Sequence, residues 1–145
     1  MILTAKNTMQ ENKNNMKKYD KELIADAIGL KKTISAKEIE EMVDKHLDFT
    51  MHEIRSKNRK RELADARAAV CVLFWIAGLS QEKAETRVGL NGHGTIKNYL
   101  DRVYDDINYG TDYVIGSMRL IVFYHNRDNV GRCYPKKFEI VRKKL

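Results

Sequence analysis

Apolar positions along this chain fall into helical stripes separated by short polar breaks. In "YDKELIADAIGL" Leu23, Ile24, Ala27 and Ile28 share one helical face, and Gly29 is placed to end the helix. Ser35 and Glu38 form an S-x-x-E capping box ahead of "KEIEEMVDKHL". There Ile39, Met42, Val43, His46 and Leu47 recur at i, i+3, i+4, i+7 and i+8, one buried stripe. Thr50 with Glu53 repeats the box before a short helical turn carrying Met51 and Ile54. "ELADARAAVCVLFWIAGL", residues 62–79, is apolar almost all round from Ala68 to Ala77, as a central helix packed on several sides must be. Gly78 lies at its end. Ser80 is an N-cap for "QEKAETRV", with Glu82 in the first turn, and Gly89 stops that short helix. Ile96, Leu100, Val103 and Ile107 mark the inner face of a helix over about 94–108.

Beyond Asn108 the pattern changes to aromatic and β-branched residues. "RLIVFYH", 119–125, reads as a strand, "NRDNVG", 126–131, as a turn, and "KKFEIVRK", 136–143, as a second strand. A β hairpin is expected there, with an added helix over 111–122 as the alternative. Residues 1–17 carry four asparagines and no periodicity. The expected organisation is a flexible tail over 1–18, a mainly α domain over 19–108, and a C-terminal extension over 109–145.

The 145 residues suffice for one ordinary domain, and one proline with eight glycines favours a helix-rich fold. The net charge of +7 directs attention to polyanions. Cys71 sits in an apolar run and reads as core, so a disulfide is not required and a reducing cytoplasm is expected. No apolar run is long enough for a membrane span, and the N-terminus lacks the apolar stretch of a signal peptide. Four scattered histidines and two distant cysteines offer no metal spacing. No cofactor is expected, and no paired carboxylates or activated nucleophile mark an enzyme.

The charge is concentrated in "RSKNRKR", 55–61, five basic residues in seven with no apolar residue among them. The plain reading is a solvated loop. It stands, however, just ahead of the long helix and of a helix–turn–helix pattern whose second helix has a polar outer side. In proteins of that type the second helix enters the major groove of DNA and cations nearby hold phosphates. "GLNGHGTIKNYL", 89–100, is the turn into that helix, with three glycines in its first six residues. It is not a nucleotide-binding loop: no strand precedes it and no G-x-x-x-x-G-K-[ST] occurs.

Residues from about 36 to 107 resemble the C-terminal DNA-binding domain of the bacterial replication initiator DnaA, a Trp-repressor-like helix–turn–helix. "FTMHEIRSKNRKRELADAR" is similar to the family's basic-loop segment, "LSQEKAETRVG" to its S-l-x-x-I-G, and "GLNGHGTI" to its G-G-R-D-H-T/S-T-V. The resemblance implies duplex-DNA binding, and with no G-x-x-x-x-G-K-[ST] in the sequence a stand-alone domain without an ATPase module is expected. By position it implies that Arg59 enters the minor groove, supported on the backbone by Lys57 and Arg61, with Lys60 in the same loop. It implies a phosphate contact for Arg67 at the start of the long helix, and another at Ser80, where backbone amides can hold a phosphate. His93 and Thr95 match the signature residues that meet bases and backbone. Lys97 and Asn91 complete the candidate surface.

The departures lie in the same turn. The family's Asp is Gly92 here, its first Thr/Ser is Gly94, the Arg before the Asp is Asn91, and a Gln in the long helix is Ala68. Glycine has no side chain to discriminate bases, so specificity is expected to be altered or relaxed. The rival expectation is a structural or assembly protein of a phage or mobile element. In that case the fold is a scaffold, and the tail and C-terminal extension mediate self-association or bind a protein partner.

Overall fold

The computed structural model describes residues 19–91 and 94–128. It is helical, in the order α1 (Lys21–Ala27), α2 (Ala36–His46), α3 (Met51–Ile54), α4 (Arg61–Ile76), α5 (Gln81–Arg87), α6 (Thr95–Tyr109) and α7 (Ile115–Asp128). The expected tail over 1–18, Gly92 and His93 in the turn, and the second strand expected over 136–143 lie outside the described residues.

Local caps place the helix starts. Asp20 accepts from the backbone N–H of Glu22 at 2.9 Å. The Ser35–Glu38 box is closed both ways, at 2.9 and 3.1 Å, and Thr50–Glu53 likewise, at 2.9 and 3.3 Å. Ser80 accepts from Lys83 N–H at 3.2 Å. Each cap satisfies amides that the first helical turn leaves without a partner.

The core is built round α4. From Ala66 to Trp75 every residue of that helix is buried, and α4 packs against α2, α3, α5, α6 and α7. Cys71 has no exposure, and burial pushes its thiol far above the usual range, with the Glu85 carboxylate adding to the effect. The stripes expected on α2 and α6 face inward: Ile39, Met42, Val43, Ile96, Leu100 and Val103 are buried. His46 sits at the core edge with its ring stacked on Tyr124, centroids 3.7 Å apart.

The C-terminal expectation is corrected. Residues 119–125, expected as a strand, lie inside α7, and the turn expected from Asn126 is still helical through Asp128. Ile115, Met118, Ile121, Val122 and His125 are its buried positions. They recur at i, i+3, i+6, i+7 and i+10, a helical period that a window opening at Arg119 cuts in half. The added helix is therefore what forms. It packs against α2, α4 and α6 in the same core.

The start of α7 is fixed by a buried acid. Asp106 on α6 accepts from the backbone N–H of Val114 and Ile115 at 2.8 and 3.0 Å and from the Thr111 hydroxyl at 2.5 Å. Burial alone would raise its pKa. The Thr111 hydroxyl and the backbone N–H groups of Ile115, Val114 and Tyr113 outweigh that, and the carboxyl is held below its ordinary value.

Candidate nucleic-acid interface

The basic segment 55–60 links α3 to α4 and is exposed throughout. Lys57, Arg59, Lys60 and Arg61 all present to solvent. The Arg61 guanidinium lies over the Tyr113 ring at 5.7 Å. Within the loop, the Asn58 side chain accepts from Lys60 N–H at 2.9 Å and the Ser56 hydroxyl donates to the Glu53 carbonyl at 2.6 Å.

The loop abuts the end of α5. Arg55 Nε donates to the Arg87 carbonyl at 2.9 Å. Glu40 on α2 pairs with Arg55 at 2.9 Å and with Arg87 at 3.0 Å, so one carboxylate bridges two cations. The approach is close enough to require glycine at the exit of α5. Gly89 has φ +87°, and a Cβ there would stand 2.5 Å from the Arg55 carbonyl oxygen.

From this junction the chain turns into α6. The N-cap of α6 is Gly94, in the left-handed region at φ +84°, with no side chain to cap the helix. The capping group comes instead from α5. Glu85, 1% exposed, accepts from Gly94 N–H at 3.2 Å and from Ile96 N–H at 2.8 Å. A carboxylate at a helix N-terminus satisfies orphan amides and meets the positive end of the helix dipole. The same arrangement serves α7 through Asp106, so both C-terminal helices start on an acid carried by the preceding helix. Neither acid was among the expected site residues. The available signal was an acid set into an apolar stripe: Glu85 between Ala84 and Val88, Asp106 beside Val103 and Ile107.

On α6, Lys97 and Asn98 are exposed and Thr95 is half-buried at the first position. Asn91 is exposed at the exit of α5. Further along, Arg102 pairs with Asp65 of α4. The Tyr19 hydroxyl donates to Asp101 at 2.7 Å, Asp20 N–H donates to the Tyr104 hydroxyl at 2.6 Å, and the Tyr19 and Tyr104 rings meet edge to face. The Tyr19 hydroxyl also lies 3.5 Å from the Lys97 carbonyl, so the chain leading into α1 lies on the outer side of α6 from its first turn onward.

Two further expected site residues have partners within the fold. Arg67, expected to contact phosphate, is only 7% exposed. Its guanidinium donates to the backbone carbonyls of Ile54, Ser56 and Asn58. The loop wraps over the first turns of α4, and the arginine underneath serves the loop carbonyls. Ser80 is exposed, but its hydroxyl oxygen is engaged as the α5 cap. Gly94 takes the turn geometry that its position requires, and His93 lies outside the described residues.

Among the described residues no cluster of three or more His, Cys, Asp or Glu could hold a metal ion, and no helix is long and apolar enough to cross a membrane. The chain matches no protein-family model, no curated protein and no solved structure.

Proposed function

We propose that this chain is a non-enzymatic protein that binds duplex DNA, with α5 and α6 as a helix–turn–helix of the kind found in the C-terminal domain of DnaA and in the Trp repressor. The observation that carries the reading is the junction of basic loop and turn. Arg55 joins the start of the loop to Arg87 and Gly89 at the end of α5, so the exposed segment that carries Lys57, Arg59 and Lys60 sets out from beside the exit of α5, where the chain turns toward the polar first turn of α6. A helix lying in the major groove with cations flanking it on the phosphates uses those parts in that order.

In this reading Lys57, Arg59, Lys60 and Arg61 supply most of the affinity through phosphates. Arg59 is the residue placed for the minor groove, where the potential of a narrow groove favours arginine. Asn91, Thr95 and Lys97 face the base edges and adjacent backbone. The turn has glycine where the family carries side chains that read bases. Binding should therefore discriminate little between a DnaA box and random duplex.

The test is fluorescence anisotropy with both duplexes over several salt concentrations. Arg59→Ala should weaken binding to each about equally and lower the salt slope by about 0.9, the share of one phosphate contact. A variant with unchanged affinity and slope refutes the placement of the loop on DNA.

A second reading, assembly through protein contacts, is favoured by exposed apolar residues on and near α7: Tyr113 at 58% and Phe123 at 57%, with Leu120 at 38%. Sedimentation showing a stable oligomer, together with no salt-sensitive binding to DNA, would select it.

A further inference from the structure

We infer that Arg67 is the positioning residue of the basic loop and not one of its phosphate contacts; the inference rests on the DNA-binding reading above and assigns a role within that same site. The loop carries its cations on a stretch with almost no apolar anchor of its own. Lys57, Arg59 and Lys60 are exposed, and Ile54 is the last buried side chain before Leu63. Such a segment should sample many conformations. Besides the bonds made by Arg55, Ser56 and Asn58, a restraint lies underneath. Arg67 Nε donates to the Ile54 carbonyl at 2.6 Å, and its Nη2 donates to the Ser56 carbonyl at 2.8 Å and the Asn58 carbonyl at 3.1 Å.

Three features make this a clamp rather than an incidental contact. The acceptors lie at alternate positions, 54, 56 and 58. One planar guanidinium therefore fixes five consecutive residues and turns the side chains between its acceptors outward. The guanidinium is also buried on α4, the most constrained helix of the fold, so the loop is held to a rigid support. Finally, its acceptors are carbonyl dipoles. They hold the guanidinium beneath the loop, where little of it meets solvent.

Lys57 lies within the clamped span and Arg59 and Lys60 follow it directly, and holding that backbone in place matters because binding otherwise pays for its ordering. Lysine is a poor replacement. It lacks the fork that reaches several acceptors in one plane.

The experiment compares Arg67→Lys, Arg67→Met and Arg59→Ala in the full chain. Amide exchange at Ser56 and Lys60 is read in free protein, and duplex affinity against salt is read by anisotropy. Arg67→Lys should keep a cooperative thermal transition while exchange at those amides accelerates. Its affinity should fall about tenfold at every salt concentration with the slope unchanged, since no phosphate contact is lost. Arg59→Ala should reduce the slope and leave exchange alone.

The inference is overturned if Arg67→Lys matches wild type in both exchange and affinity. It is also overturned if Arg67→Met, while folded, lowers the slope as Arg59→Ala does, which would make Arg67 itself a phosphate contact. If the wild-type protein shows no salt-dependent binding, the DNA reading fails alone. Unchanged exchange at Ser56 and Lys60 in Arg67→Lys would then still overturn the clamp, and accelerated exchange would support it.

Discussion

Replacing Glu85 with glutamine changes two atoms' chemistry and almost no volume, which makes it a clean perturbation of how α6 begins. In the native protein both carboxylate oxygens are engaged, one with Gly94 N–H and one with Ile96 N–H, and the side chain is 1% exposed. Glutamine can keep one acceptor, but its amide NH2 must face the other backbone N–H, so donor meets donor. One charge-assisted hydrogen bond is lost, about 1.5–3 kcal/mol. Loss of the negative charge at the helix N-terminus adds up to about 1 kcal/mol. The lower cost of burying a neutral amide offsets part of this. The net expectation is a destabilisation of about 2 kcal/mol, or a fall in Tm of roughly 5 °C for a chain of this size. Urea denaturation gives the first quantity and calorimetry the second. Amide exchange at Gly94 and Ile96 should accelerate more than exchange at Val103, because the defect is local to the first turn. Stability within 0.5 kcal/mol of wild type, with unchanged exchange at Gly94 and Ile96, would show that Glu85 does not hold the start of α6.

Asp106 should act through pH. Its folded-state pKa lies below its ordinary value, so its contribution is complete above the unfolded carboxylate range and is lost as pH falls through the lower, folded pKa. Asp106→Asn should therefore be less stable than wild type near neutrality, with the gap narrowing in acid; a gap that is constant with pH contradicts the assignment. Gly89→Ala should cost more than Gly110→Ala. Both positions have positive φ, but only at Gly89 would a Cβ meet backbone, the Arg55 carbonyl. Equal losses of stability in urea titrations would show that the loop does not press on the α5 exit.

The parts of the fold legible in the sequence are those governed by neighbours within a few residues. Ser35 with Glu38 and Thr50 with Glu53 cap helices three residues away, and the apolar stripe of α2 repeats at helical spacing. The all-round apolar character of 68–77 placed α4 at the centre. What was not legible depends on contacts across the fold. Glu85 looks like a surface acid of "QEKAETRV" until α6 folds its amides onto it, nine and eleven residues later. Asp106 is hidden in "DRVYDDINY" for the same reason. The density of β-branched residues in "RLIVFYH" suggested a strand because its helical partners, Ile115 and Met118, precede that stretch.

The candidate site divides in the same way. The exposed cations of the loop follow from composition, since no apolar residue among them could draw them inward. The role of Arg67 does not follow, because an arginine at the seventh position of an apolar helix looks the same in sequence whether it reaches out to a phosphate or back to a carbonyl. Only the path of the loop over α4 decides between them.

The most direct measurement is the affinity of the wild-type protein for a random duplex, taken by fluorescence anisotropy as a function of salt. Phosphate contacts by Lys57, Arg59, Lys60, Arg61 and Lys97 predict that log K falls linearly with log salt, with a slope of about −4.5. A slope near zero, or no binding at low salt, would contradict the account.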